Sequence, residues 1–400
     1  MKRGRDGARR ENQKALPADE PGPLDTASHR AVEYLAMTTQ DDAPLFVYVG
    51  AYTGPGKAEG ISVFRMGPAT GALAHAQTLT GIENPTFLAR HPQQPYLYAV
   101  SEVGNGDGQS SGVVSAFAIE PATGSLILLN HQDAHGTGSC HLSMDPSLRH
   151  LLVANYTSGS LAVFPIQDDG QLGQASDVVQ HVGRGPDPNR QAGPHAHYIT
   201  MDPTGQYVLA CDLGLDRVMV YRLDGSSGKL IPGDLPYAQV ASGAGPRHLA
   251  FHPNGRFVYV INELDSTLVA FAYDATRGAL QVVQTVSTLP EDFTGVSNCA
   301  HVLVASSGKF VYGSNRGHDS IAIFAADEAT GRLTALGHQP TLGRTPRNFA
   351  IDPSGTFVLA ANQDTNTIVT FRLNPATGSL THTGHVADSP APVCLVFGPR

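Results

Sequence analysis

Two charged residues, Arg247 and Glu263, stand at opposite ends of one predicted strand–turn–strand unit. The unit reads GPRHLAFHPNGRFVYVINELD, with two apolar runs around the turn HPNGR. Pro253 favours a turn because its φ is fixed, and the Asn-Gly pair that follows tolerates the φ values that tight turns require. A tight antiparallel hairpin brings its outer ends together. We therefore expect the guanidinium of Arg247 to lie beside the carboxylate of Glu263.

The same unit recurs along the chain, and aligning the copies on their turns gives two columns of polar residues. The column in the opening strand contains Thr86, Cys140, His197, Arg247, Ala300, Arg347 and Val393. The column that ends the second strand contains Tyr52, Glu102, Tyr156, Leu213, Glu263, Arg316 and Gln363. Neighbouring positions are mostly apolar in every copy, whereas these columns differ between copies. This pattern indicates that function, rather than packing, selects these residues.

Together the columns predict an anion-binding pocket with acid–base groups. Arginine presents a planar fork of donors that suits phosphate or carboxylate, and glutamate or histidine can transfer protons. Further candidate substrate-binding residues are close in sequence: His195 in the motif GPHAHY, and Asn315 and His318 in SNRGHDS. No H-x-x-x-H or C-x-x-C ligand set occurs, so we expect neither a metal nor another cofactor.

Structural roles remain open for some of these residues. An Arg247–Glu263 pair can be a structural ion pair, and His195 can be a simple loop histidine. His141 and His248 each follow a column residue, so their side chains point the opposite way, and we expect them to fill interfaces between blades. The run GRGPDPNRQAGPH (183–195) is interpreted as a long loop, a candidate rim over the pocket.

The elements that position these columns follow from the repeat. A T-G-x-L-type turn places its glycine at seven positions, at intervals of 46 to 58 residues: Gly71, Gly124, Gly170, Gly228, Gly278, Gly331 and Gly378. An aromatic residue closes a strand before each of them: Phe64, Phe117, Phe164, Tyr221, Phe271, Phe324 and Phe371. A repeat of this length with four short strands is typical of a propeller blade, and no helical periodicity is present. The sequence therefore predicts an all-β, seven-bladed propeller over residues 44–400.

The first repeat lacks its opening strand, and the last segment, PAPVCLVFGPR, matches that strand with nothing after it. We expect the C-terminal strand to complete blade one and so close the ring, which removes free sheet edges. Residues 1–43 match no blade, are polar and Pro-rich, and contain no apolar run typical of a signal peptide. We expect a disordered tail, and Met37 is an alternative start of translation.

Composition narrows the class of protein. The net charge of −9 argues against a nucleic-acid partner, and no apolar run is long enough to cross a membrane. The four cysteines lie far apart, which indicates reduced thiols and a cytoplasmic protein. The sequence carries no indication of the oligomeric state.

Four motifs, YVGAYTG, GPHAHY, GPRHLAFHPNGRFVYVINELDST and SNRGHDSIAIF, resemble the lactonase family of seven-bladed propellers. The resemblance covers residues 45–400. That family includes propeller-type 6-phosphogluconolactonases and the fungal carboxymuconate cyclase. Residue by residue within the motifs, it implies catalytic roles for His197, Arg247, Glu263 and Arg316.

The resemblance implies hydrolysis of a small anionic lactone, with 6-phospho-D-glucono-1,5-lactone as the first candidate. Glu263 or His197 is the expected general base, the arginines stabilise negative charge, and Arg347 and Glu102 contact the substrate. No G-x-S-x-G nucleophile elbow is evident, which favours direct attack by water. Two alternatives stay open: a carboxymuconate-type lactonising cyclase, because phosphate and carboxylate require the same arginines, and a non-enzymatic binding propeller of the YVTN type.

Overall fold

The protein forms seven antiparallel sheets of four strands each. The structure, a computed structural model, describes residues 45–104 and 111–398. These residues contain 28 strands and two 3-10 turns, Leu213–Leu215 and Gln363–Thr365. The predicted all-β, seven-bladed propeller is confirmed. The predicted disordered tail, residues 1–43, and Met37 lie outside the described residues.

In the first three blades the strands are given from the central channel outwards. Their order is the order of the sequence, except that the innermost strand of blade I comes from the C-terminal end of the propeller. Blade I contains β28 (Pro392–Phe397), β1 (Leu45–Ala51), β2 (Gly60–Met66) and β3 (Leu73–Thr80). Blade II contains β4 (Pro85–Arg90), β5 (Tyr96–Ser101), β6 (Val113–Ile119) and β7 (Leu126–Asp133). Blade III contains β8 (Ser139–Met144), β9 (His150–Asn155), β10 (Ser160–Pro165) and β11 (Asp177–Gln180).

The other four blades follow the chain strand by strand. Blade IV contains β12 (Ala196–Met201), β13 (Tyr207–Asp212), β14 (Arg217–Asp224) and β15 (Lys229–Gln239). Blade V contains β16 (Pro246–Phe251), β17 (Phe257–Asn262), β18 (Thr267–Asp274) and β19 (Ala279–Ser287). Blade VI contains β20 (Asn298–Val304), β21 (Phe310–Arg316), β22 (Ser320–Ala326) and β23 (Leu333–Pro340). Blade VII contains β24 (Pro346–Ile351), β25 (Phe357–Asn362), β26 (Thr367–Leu373) and β27 (Leu380–Asp388).

The innermost strands form a closed ring around the channel. Each contacts the innermost strand of the next blade, in the order β28, β4, β8, β12, β16, β20, β24 and back to β28. The predicted closure is confirmed, because β28 pairs antiparallel with β1 in the register Val47 to Phe397 and Gly50 to Cys394. The last strand of the propeller thus supplies the inner edge of its first blade.

The repeated turn glycines connect neighbouring blades. All seven have a φ between +63° and +82°, a left-handed conformation that glycine adopts without strain. At Gly124 in blade II, an added Cβ would lie 2.6 Å from the ring of Phe46 in blade I. Five more of these glycines face an aromatic ring of the preceding blade in the same way. The repeat therefore reflects a contact between blades as well as a turn.

The core lies between the blades, where the second strand of each is buried on both faces. The seven strand-closing aromatics that the repeat predicts are all buried, and burying a side chain of this size contributes roughly 2–3 kcal/mol. All four cysteines are buried and free, as the sequence indicates. In the described part of the chain, no helix is long and apolar enough to cross a membrane.

Candidate active site

Three arginines surround the carboxylate of Glu263. Arg247 projects from β16, Arg316 ends β21, and Glu263 follows β17, so two adjacent blades deliver them to one end of the channel. Arg247 Nε lies 2.9 Å and Arg316 Nη2 2.8 Å from Glu263 Oε2. The predicted proximity of Arg247 and Glu263 is therefore confirmed.

The third arginine, Arg190, is not among the residues predicted from the sequence. Its Nη2 donates a hydrogen bond of 2.5 Å to Glu263 Oε1, and its guanidinium also interacts with the Tyr156 side chain. Arg190 lies in the loop between blades III and IV that the sequence identified as a candidate rim. That loop interrupts the repeat, so aligning the columns could not reveal this residue.

A second charged group lies on the other side of the same mouth. Arg347 Nη2 donates to the Tyr52 hydroxyl at 3.1 Å, and the Tyr52 hydroxyl donates to Glu102 Oε2 at 2.9 Å. Burial raises the pKa of Tyr52 to about 12, so its hydroxyl keeps the proton that it donates. Arg347, Glu102, Arg247 and His197 line one narrow cleft.

The mouth carries more positive than negative charge. Four guanidinium groups face two carboxylates, which leaves an excess of two positive charges (4 − 2) in a protein whose net charge is −9. Burial, Arg316 and Arg347 lower the pKa of Arg247 to about 9, so it remains a cation at neutral pH. Although burial alone would raise the pKa of Glu263, Arg316 and Arg247 hold it well below its ordinary value. The site therefore suits a ligand with two negative charges.

His197 lies at the base of this mouth as a neutral ring. Its side chain is buried, with Nδ1 3.7 Å from Cys140 Sγ. Burial and the Arg247 cation lower the pKa of His197 well below its usual value. His197 can therefore accept a hydrogen bond from a ligand or a water, but it carries no charge at neutral pH.

His195 contacts the cluster through Tyr156. The two rings stack with centroids 4.5 Å apart, and His195 Nδ1 lies 2.9 Å from the Tyr156 carbonyl oxygen. Because a carbonyl only accepts, Nδ1 carries the proton. The Tyr156 side chain in turn interacts with Arg190.

Two of the predicted substrate-binding residues lie outside the cluster. The fully buried Asn315 amide donates to the Thr288 carbonyl at 2.8 Å and accepts from the Thr288 hydroxyl at 2.7 Å, so it is occupied within the fold. His318 packs edge-on against Phe293 and bonds Ser320 Oγ at 2.6 Å. For Asn315, this arrangement favours a structural role over the predicted one.

A sequence signal for that structural role exists. An asparagine occupies the same place in four blades and donates to the hydroxyl of a Ser or Thr five residues later: Asn155, Asn262, Asn315 and Asn362. A residue that makes the same hydrogen bond at the same place in four blades serves the turn. The column alignment could have excluded Asn315 on this ground.

His141 and His248 contact neighbouring blades, as expected: the His141 ring packs on Tyr198 of blade IV with centroids 3.8 Å apart, and Ile199 N donates to its Nδ1. The two histidines also meet across the channel, which the sequence does not predict. The His248 ring centroid lies 5.6 Å from His141 and 6.0 Å from Phe87, which belong to blades two and three positions away. These rings therefore meet across the channel, directly beneath the charged mouth. His248 Nε2 lies 3.2 Å from Arg247 Nη1, and its Nδ1 lies 2.8 Å from His301 Nδ1.

These contacts determine the protonation of the layer beneath the mouth. Because Arg247 only donates, His248 Nε2 must accept, so Nδ1 carries the proton and donates to His301. Burial and the Arg247 cation lower the pKa of His248 well below its usual value. The histidines thus orient Arg247 from below while remaining neutral.

The cleft at the charged mouth offers little space for a ligand. The cleft beside Arg247 and Arg347 measures about 10 Å³, room for a single water. A sugar-sized molecule would therefore reach the arginines from the open mouth. Among residues 45–104 and 111–398, no group of His, Cys, Asp and Glu side chains is arranged to hold a metal ion.

Comparison with known proteins places this geometry in context. The family described as "Lactonase, 7-bladed beta-propeller" matches residues 46–397. A 6-phosphogluconolactonase of Bacillus subtilis is 40% identical over 306 residues, which cover 76% of this chain and 84% of the relative. A 6-phosphogluconolactonase of Formosa agariphila is 34% identical over 310 residues, 77% of this chain and 86% of the relative.

Solved structures show the same likeness. The periplasmic gluconolactonase of Pseudomonas aeruginosa superimposes with a TM-score of 0.84 at 32% identity, covering 89% of this chain and 99% of that one. These relatives confirm the expectation of a lactone hydrolase over a non-enzymatic binding propeller.

Proposed function

Because this chain belongs to the lactonase family of seven-bladed β-propellers, we propose that it hydrolyses 6-phospho-D-glucono-1,5-lactone to 6-phosphogluconate. The observation that carries the proposal is the ionised Glu263 carboxylate held among three arginines at a mouth with two excess positive charges. A phosphate monoester is close to a dianion at neutral pH and would balance that excess. The names of the relatives support the same substrate.

The reaction is the cleavage of a cyclic ester by water. The water oxygen adds to the lactone carbonyl carbon while one of its protons moves to Glu263 or His197. The carbonyl oxygen becomes an oxyanion, which Arg247 or Arg316 stabilises; one well-placed donor of this kind is worth roughly 3–4 kcal/mol. When the bond between the carbonyl carbon and the ring oxygen breaks, the ring oxygen takes up the proton, and the open-chain acid is released.

Two bases are available, and their environments differ. Glu263 is charged, but its arginine partners weaken it as a base because they stabilise the carboxylate. His197 is neutral, and the nearby Arg247 cation opposes its protonation. We assign the proton transfer to Glu263, which has the lone pairs and the charge, and we assign His197 to orienting the water. Arg347, steadied by Tyr52, would bind the phosphate.

The test is hydrolysis of 6-phosphogluconolactone by the purified protein in a pH-stat, measured against the spontaneous rate. Arg347→Met should raise KM roughly tenfold through the loss of a charged hydrogen bond. The matched control is Arg344→Met, which removes the same charge at an exposed position of the same blade. A wild-type rate equal to the spontaneous rate would refute the proposed function.

Carboxymuconolactone is the informative second substrate. It also carries two negative charges, so the charge excess alone accommodates it. Turnover of carboxymuconolactone without turnover of the phosphorylated lactone would assign the protein to the lactonising cyclases instead. A cytoplasmic location fits a phosphorylated substrate and is part of this proposal.

A further inference from the structure

Arg190 differs from the other two arginines at Glu263 in how it is held. Arg247 Nη1 donates to the Ala300 carbonyl at 2.5 Å, and Arg316 Nη2 donates to the Cys299 carbonyl at 2.8 Å. Their side chains are only 3% and 14% exposed. Both guanidinium groups are therefore tied to the main chain of the inner ring and cannot move without breaking that contact.

The Arg190 side chain is 36% exposed, and its partners are the side chains of Glu263 and Tyr156. A partly exposed side chain changes rotamer within nanoseconds. Arg190 can therefore leave Glu263 without disturbing a main-chain hydrogen bond of the propeller.

The loop that carries Arg190 is itself firmly anchored. The buried Gln191 side chain donates to the Leu213 carbonyl at 2.8 Å and to Asp216 Oδ1 at 2.7 Å. On the other side, Asp187 Oδ1 accepts hydrogen bonds from the main-chain NH groups of residues 189 and 190. The Cα of Arg190 is thus fixed at the rim, and only its guanidinium is free to change partner.

The charges around Glu263 favour such a change when an anion arrives. In the free protein the single negative charge of Glu263 is shared by three guanidinium groups, although one positive charge would balance it. A phosphate group offers two negative charges and accepts the arginine fork with two parallel hydrogen bonds. Arg190 is the most exposed of the three and is therefore the first to meet a ligand that enters from the mouth.

We infer that Arg190 exchanges Glu263 for the anionic group of the substrate, and that this exchange makes the enzyme selective for a phosphorylated lactone. The inference rests on the proposed function and adds a residue to it. It also links binding to chemistry. Once Arg190 has moved, Glu263 loses one of its cations, and its pKa rises toward the range in which a carboxylate is an effective base.

The experiment compares Arg190→Gln with Arg184→Gln, which removes the same charge from an exposed position of the same loop. Each variant and the wild type are assayed with 6-phosphogluconolactone and with unphosphorylated D-glucono-1,5-lactone. Binding of 6-phosphogluconate, which undergoes no reaction, is measured in parallel by calorimetry.

We expect Arg190→Gln to lower kcat/KM for the phosphorylated lactone about 10- to 100-fold, mainly through KM. The preference for the phosphorylated over the unphosphorylated lactone should fall at least about tenfold, because only one of them carries the group that Arg190 binds. The acidic limb of the kcat/KM profile, which reports the free enzyme, should move to higher pH in Arg190→Gln. Arg184→Gln should behave as the wild type in all three measurements.

The outcomes separate this inference from the proposed function. Wild-type hydrolysis with an unchanged substrate preference in Arg190→Gln would overturn the inference and leave the function standing. If the wild type hydrolyses neither lactone, the proposed function fails, and calorimetry alone decides the inference. In that case weaker binding of 6-phosphogluconate by Arg190→Gln than by Arg184→Gln supports it, and equal or absent binding overturns it.

Discussion

Replacing Glu263 by Gln removes one negative charge from the centre of the arginine cluster while the side chain keeps its size. Two effects should follow. The first is on stability, because Arg247 is 3% exposed and would lose its nearest counter-charge. Breaking a buried ion pair by removing one partner costs about 3–5 kcal/mol. The second is on catalysis, because an amide cannot take up the proton of the attacking water.

The stability effect can be converted into a melting temperature. Unfolding entropy near the midpoint is about 2.1 cal/mol/K per residue, so roughly 350 structured residues give about 0.7 kcal/mol/K. A loss of 3–5 kcal/mol therefore predicts a Tm lower by about 4–7 °C. For catalysis, loss of a general base predicts a kcat lower by at least about 100-fold, with a modest change in KM.

The assay is thermal unfolding followed by circular dichroism, together with kcat for 6-phosphogluconolactone at a temperature well below both midpoints. Glu328→Gln, the same change at an exposed position, is the matched control. The double variant Glu263→Gln/Arg316→Gln should regain part of the lost Tm, because it removes one unpaired cation, but should regain no kcat. An unchanged Tm would refute the buried-pair reasoning, and an unchanged kcat would transfer the role of base to His197.

Three further predictions follow from the fold. Because burial lowers the pKa of His301 to about 3 while the unfolded ring titrates near 6.5, the unfolded state binds the extra proton below pH 6.5. The contribution of neutral His301 to stability is therefore fully present above pH 6.5 and is lost as the pH drops toward 3. Between pH 7 and pH 5, His301 alone should lower the free energy of unfolding by about 2 kcal/mol. A urea midpoint that does not change with pH would contradict this. Deleting residues 392–400 should expose an unpaired edge in blade I and cause aggregation in size-exclusion chromatography, whereas a monomer with the original Tm would disprove closure. Gly124→Ala should lower Tm more than Gly255→Ala, since both have positive φ but only Gly124 faces an aromatic ring; equal losses would contradict the contact between blades.

The blade architecture could be predicted from the sequence because its signals are local and repeated. A turn glycine and a strand-closing aromatic occur at matching positions in successive copies. The turns between the first two strands are also fixed locally: Asp202 Oδ1 accepts from the NH groups of Gln206 and Tyr207. The proximity of Arg247 and Glu263 follows from the same local geometry, because a short hairpin has only one way to bring its ends together.

The parts that could not be predicted depend on contacts outside the repeat. Arg190 reaches Glu263 because Gln191 anchors its loop to Asp216, and no alignment of blades contains that loop. The contact of His248 with His141 across the channel could not be predicted either, because a pattern of alternating residues does not show the bulge at which the register shifts between Pro246 and His248. Side-chain direction at the inner strands is therefore a tertiary property.

Closure of the ring by β28 has a consequence for biosynthesis. Val47 in β1 is synthesised early, and its partner Phe397 in β28 is synthesised roughly 350 residues later. At about 5–20 residues per second, β1 waits roughly 20 to 70 s for the strand that covers it. During that time the nascent chain presents an apolar, unpaired sheet edge to the cell, and the ring can close only after β28 has been synthesised. The yield of active protein should therefore depend on chaperones that shield this edge, and slow translation should lengthen the exposure.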